Sequence, residues 1–161
     1  ERAEPVEALI SVLGHHDPLL RGRSARALRR LTNHSFEVVW DSPSLSDGAM
    51  EKGYSAWESW LELYGKRSRR VWLIAGFRAL GYQVTTLELE EIWELVRAIP
   101  GKDHISYNAQ RALMRLLSHT PRSLEWSKGD ACWHWTRWVD RRRRRFKLPS
   151  RPAVLSECLV R

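Results

Sequence analysis

Six histidines, two cysteines and a block of five consecutive arginines are the side chains of this 161-residue chain with the most chemistry to offer. Cys132 and His134 sit one residue apart across Trp133. On a helix that spacing points the two ligands away from each other. His15, His16 and His34 lack companion ligands in the sequence, so no zinc site is expected. Glu88, Glu90, Glu91 and Glu94 read as a charged face opposite an apolar stripe. No serine, histidine and acid arrangement, no phosphate-cradling glycine loop and no metalloprotease motif is present. Catalysis, a cofactor and a metal are therefore not expected.

Charge points elsewhere. Lysine and arginine total 27 against 19 acids, giving +8 and a pI near 10.1. Such a balance favours an acidic partner: nucleic acid, anionic lipid or an acidic protein face. The densest basic segment is Arg137 to Lys147, which holds seven basic residues against Asp140 alone. Cations near a helix C-terminus gain about 0.3–1 kcal/mol each from the dipole. Five in a row repel one another and exceed what that effect needs. Trp133, Arg137, Arg141, Arg143, Arg144 and Arg145 are thus candidate partner-binding residues, while Arg142 continues an apolar stripe.

Nine tryptophans could build a stacking platform for bases or a core. Trp57, Trp60, Trp93, Trp135 and Trp138 lie on apolar helical stripes and read as core. Trp133 and Trp72 lie off those stripes and read as the surface candidates. The two cysteines, Cys132 and Cys158, are too few for a disulfide framework, and two separate thiols are favoured over one bridge. No stretch of about 18 apolar residues exists to span a membrane. The chain opens at Glu1 without an apolar leader. A cytoplasmic location is slightly favoured, and the cell envelope stays open if an export signal was removed.

The elements that must position these side chains are all helical. Pro5 opens a first helix with Val6, Leu9, Ile10 and Leu13 on one face, closed by Gly14. Asp17 caps a second, with Pro18 in its first turn and Leu20, Ala27, Leu28 and Leu31 inward. Asn33 to Gly53 is rich in Ser, Asp, Gly and Pro and reads as a loop. A Trp-bearing helix follows, closed by Gly65. A linking helix over about 68–81 carries Val71, Leu73, Ile74, Phe77 and Leu80 and stops at Gly81. Thr85 with Glu88 makes a capping box for a helix bearing Leu89, Ile92, Trp93, Val96 and Ile99. Ser106 opens the next helix, and a last one runs from about Asp130 to Phe146.

These elements repeat. Arg26-Ala27-Leu28-Arg29-Arg30-Leu31 recurs 85 residues later as Arg111-Ala112-Leu113-Met114-Arg115-Leu116. His34 and His119 keep the same spacing. Val6, Leu9 and Leu13 match Ile92, Leu95 and Ile99, and Trp40 matches Trp126. Trp57, Trp60 and Leu61 match Trp135, Trp138 and Val139. The series predicts an internal duplication, with copy one over about 5–67 and copy two over about 86–146. One domain over 1–148 would then carry an extended tail over 149–161.

The segment Pro5 to Leu31 resembles a HEAT repeat, through its apolar spacing, the Asp17-Pro18 turn, Arg21, Ala25, Ala27 and Leu28. The second copy keeps Asp103, Ala109, Ala112 and Leu113. Leu31-Thr32-Asn33-His34-Ser35-Phe36 with Trp57 and Trp60 is similar to a Trp-rich extension of bacterial HEAT-repeat proteins. The resemblance implies an all-α HEAT-like solenoid of about seven helices and a non-catalytic scaffold for a protein partner. Nucleic-acid binding is the alternative. HEAT-like DNA glycosylases exist, but their catalytic residues find no place on this chain. In a helical repeat the second helices line a concave face. Arg21, Arg23, Arg26, Arg30, Arg111 and Arg115 decorate those helices and complete the candidate set. The oligomeric state is left open.

Overall fold

The computed structural model describes residues 4–121 and 127–152. Seven α-helices and no strand occur among them. They are α1 (Glu4–Val12), α2 (Pro18–Thr32), α3 (Asp47–Tyr64), α4 (Arg69–Ala79), α5 (Ile92–Ala98), α6 (Asp103–Leu117) and α7 (Lys128–Phe146). The sequence predicts one domain over 1–148. By its packing the chain divides into two compact units, 1–76 and 77–161, with the division inside α4.

In the first unit, α1 packs on α2 and α3. Its core joins Val6, Ile10, Leu13, Ala25 and Leu28 to Trp40, Trp57, Trp60 and Trp72. Asp17 caps α2, its carboxylate accepting from the Leu19 amide at 2.8 Å. The inward face of α2 is rotated by one residue from the expected one. Arg21, Ser24, Ala25, Leu28 and Thr32 are buried, and Leu20 is exposed.

Two further expectations fail in this unit. The stretch to Gly53 is not all loop, because α3 begins at Asp47, where Ser46 caps it. Gly53 is not a helix breaker. A Cβ there would run into the Trp40 ring, so the glycine lets the indole lie against α3. Trp72 is not at the surface either. It is buried, and its indole N–H donates to Tyr64 O at 2.6 Å. One hydrogen bond to a helix-end carbonyl allows a residue off the main stripe to sit inside.

In the second unit, α5 packs on α6 and α7. The Thr85–Glu88 capping box is replaced by another arrangement. The Glu91 carboxylate accepts from the Thr85 hydroxyl and from the amides of Thr85, Thr86 and Leu87. Leu87 is left-handed at φ 54°, which folds the turn back onto that carboxylate. Burial works to raise the acid's pKa, but these hydrogen bonds outweigh it and hold the carboxylate below its usual range. α6 opens at Asp103 rather than Ser106, and Ser106 is buried within it. Trp93 is buried, and its N–H donates to Pro149 O at 2.9 Å, which ties down the start of the tail.

Candidate docking surface

α7 owes its position to its inner stripe. Ser127 caps it, and Ala131, Cys132, Trp135, Thr136, Trp138 and Val139 are buried. The Trp135 and Trp138 rings meet edge-on at 6.2 Å, and His119 stacks on Trp138 at 4.6 Å. Cys132 is buried with its thiol 3.9 Å from Val96 O, and Cys158 lies outside the described residues. Trp126 lies outside them too.

The other face of α7 is open. Trp133 is 44% exposed, with the Arg137 guanidinium 4.8 Å over its ring. Arg137, Arg141, Arg144 and Arg145 are exposed and Arg143 is half-buried. None of these arginines has a carboxylate partner among the described residues. Asp140, the acid in their midst, pairs with Arg151 at 2.9 Å. Arg142 lies 4.4 Å over the Trp138 ring, so its charge covers the core edge.

A related ladder occurs on α6. Tyr107 is 37% exposed, with the Arg111 guanidinium 5.9 Å over its ring, and Arg115 follows four residues on. On α2, Arg23, Arg26 and Arg30 are exposed.

Arg21 has to leave the candidate set. It is 6% exposed, and its guanidinium donates to four backbone carbonyls, those of His15, His16, Trp40 and Ser42, at 2.9–3.1 Å. A buried charge is tolerated only when its donors are satisfied, and here they staple the helix turn to the following loop. Arg21 therefore supports the first unit and cannot meet a partner.

His15 takes part in a turn, its Nδ1 accepting from the Asp17 amide at 3.1 Å, whereas His34 and His119 lie against aromatic rings. His34 packs among Phe36, Trp60 and Tyr64, and its Nε2 is buried without a hydrogen-bond partner. Burial lowers its pKa to about 4. Burial, and then the charge of Arg142, lowers that of His119 as well. The His34 ring sits against Trp60 and the His119 ring against Trp135 and Trp138, each immediately after a left-handed residue that ends the preceding helix, Asn33 at φ 65° and Ser118 at φ 46°.

Among the described residues no group of three His, Cys, Asp or Glu side chains could hold a metal ion. No described helix is long and apolar enough to cross a membrane. What remains chemically distinctive is a set of open guanidinium groups, two of them laid on exposed aromatic rings. No family model, curated protein or solved structure matches the chain.

Proposed function

We propose that the chain is a non-catalytic, HEAT-like scaffold, built by internal duplication, that docks an acidic macromolecule through the arginine-bearing face of α7. The observation that carries this reading is the open α7 face. Exposed arginines crowd one helix, the nearby acid is engaged by Arg151, and the inner stripe alone satisfies the packing of the helix. Such unbalanced charge costs self-repulsion beyond what the helix dipole returns. Support for the duplication comes from α2 and α6, each of 15 residues, each ended by a left-handed residue and followed by a histidine on a Trp pair.

A protein with an acidic face is the partner that a repeat scaffold by itself implies. Nucleic acid is the second reading, and the exposed rings under arginines favour it. The test is capture from nuclease-treated and untreated native lysates by the wild-type chain and by a variant with Arg141, Arg143, Arg144 and Arg145 changed to Gln. Docking through α7 requires that the variant lose what the wild type captures. Equal capture by both would overturn it.

A further inference from the structure

We infer that the partner of the α7 face is a single strand of nucleic acid, held by its phosphates on the arginines and by a base stacked at Trp133. This inference rests on the docking reading and names its ligand.

Charge density comes first. From Arg137 to Lys147 the helix rises about 15 Å, at about 1.5 Å per residue. Seven cations fall in that length, and the acid among them is engaged elsewhere. A duplex carries one phosphate per about 1.7 Å of its axis and each of its strands one per about 3.4 Å, so charge density alone admits either form. Arg137, Arg141 and Arg145 recur every fourth residue, so guanidinium groups return to one side of the helix at steps of about 6 Å. A row of that kind suits a regularly charged backbone.

The aromatic rings then select the single strand. Trp133 keeps 44% of its surface exposed although Arg137 lies over it, and Tyr107 keeps 37% under Arg111. An exposed indole is costly unless something covers it, and an acidic protein face has no special need of a ring with a cation above it. Bases of a duplex are stacked on one another, whereas those of a single strand are free to stack on protein rings. A guanidinium on the ring adds a cation–π contact and a phosphate donor at the same place.

The corresponding helix of the first unit lacks the ring and the first two arginines of the row, although Arg144 and Arg145 fall opposite Lys66 and Arg67. Aligned on the Trp57 and Trp60 pair, Trp133, Arg137 and Arg141 fall opposite Ser55, Ser59 and Leu63. The same inner stripe is thus packed without Trp133, Arg137 and Arg141, so these three are not demanded by the helix.

The experiment uses the whole chain with four probes: labelled oligo(dT), an abasic oligomer of the same length, a duplex and polyglutamate. Fluorescence anisotropy is read over a salt series. Oligo(dT) should bind more tightly than the abasic oligomer by about tenfold, the range of one stacked base. Trp133→Ala should abolish that difference while leaving abasic binding and the melting temperature unchanged. Affinity for oligo(dT) should fall with salt at a log–log slope of about −2 to −3, as for three or four phosphate contacts. Arg137→Gln should weaken oligo(dT) and abasic binding alike. Equal binding of oligo(dT) and the abasic oligomer by the wild type, or a preference for duplex or polyglutamate, would overturn the single-strand inference while leaving docking through α7 intact. If changing Arg141, Arg143, Arg144 and Arg145 to Gln alters binding of no probe, the docking reading itself fails.

Discussion

α3 and α7 are built on the same inner pattern and present opposite outer faces. In α3, Trp57 and Trp60 meet edge-on at 5.8 Å and are buried; in α7, Trp135 and Trp138 do so at 6.2 Å. A histidine from the end of the preceding helix packs on each pair. Outside, α3 carries four carboxylates and one lysine, whereas α7 carries seven basic residues and two carboxylates. The inner stripe is what the fold requires, and the outer face is free to be used for something else. Charge and the exposed Trp133 ring therefore separate the outer face of α7 from that of α3.

The comparison would break first at the tryptophans. Trp60→Ala and Trp138→Ala should each cost about 3–5 kcal/mol, as large aromatic truncations in a packed core do. Denaturant melts of the two variants check this. A loss below about 1 kcal/mol at either position would show that the two stripes are not equivalent.

Arg21 has no charged counterpart in the second unit, where Ser106 stands at the corresponding place. Arg21→Ala leaves four carbonyls without their donor and should cost about 3 kcal/mol, since each buried unsatisfied group costs about 1–3 kcal/mol. Arg21→Lys should rescue little, because one ammonium cannot reproduce the guanidinium fork. Ser106→Ala should cost less than Arg21→Ala. Chemical denaturation of the three variants ranks them, and a mild Arg21→Ala would remove the staple from the account.

The histidines sharpen the comparison through pH. His34 has its folded pKa lowered from 6.5 to about 4 by burial, so the folded state binds fewer protons than the unfolded one between those values. Its contribution to stability is present above pH 6.5 and is lost as pH falls towards 4. His34→Phe should flatten the dependence of the melting temperature across that window. An unchanged slope in the variant would assign the acid sensitivity to other groups, His119 first among them.

Changing Arg141, Arg143, Arg144 and Arg145 to Gln should have the smallest effect on the fold, within about 1 kcal/mol. A thermal melt measures it. Unfolding would mean that these arginines are structural after all.

Most helix ends are legible in the sequence because their punctuation is local. Asp17-Pro18, Gly65 and Gly81 each act within one turn, and Gly81 takes the left-handed φ of 82° expected of a helix stop. What escapes the sequence depends on distant partners. Gly53 looks like a breaker until Trp40 is seen to need its missing side chain. Arg21 looks like a surface charge until four carbonyls from two segments converge on it. Thr85 and Glu88 have the spacing of a capping box, but the positive φ of Leu87 hands the role to Glu91. On the outer face of α7, Trp133 is legible because it falls off the apolar stripe. Trp72 falls off a stripe too and is buried, because a hydrogen bond to Tyr64 O satisfies its indole. Position on a helix therefore marks which rings could be exposed, and for Trp72 a hydrogen bond outside that pattern accompanies its burial.

The most direct test exchanges the outer face of α7 for that of α3. In one variant, Trp133→Ser, Arg137→Ser and Arg141→Leu are combined, and its thermal melt and its binding to oligo(dT) are measured side by side with the wild type. The account predicts a melting transition shifted by no more than a few degrees, with binding weakened at least tenfold. A chain that unfolds, or one that folds and binds as tightly as the wild type, would contradict the claim that α7 packs with one face and docks with the other.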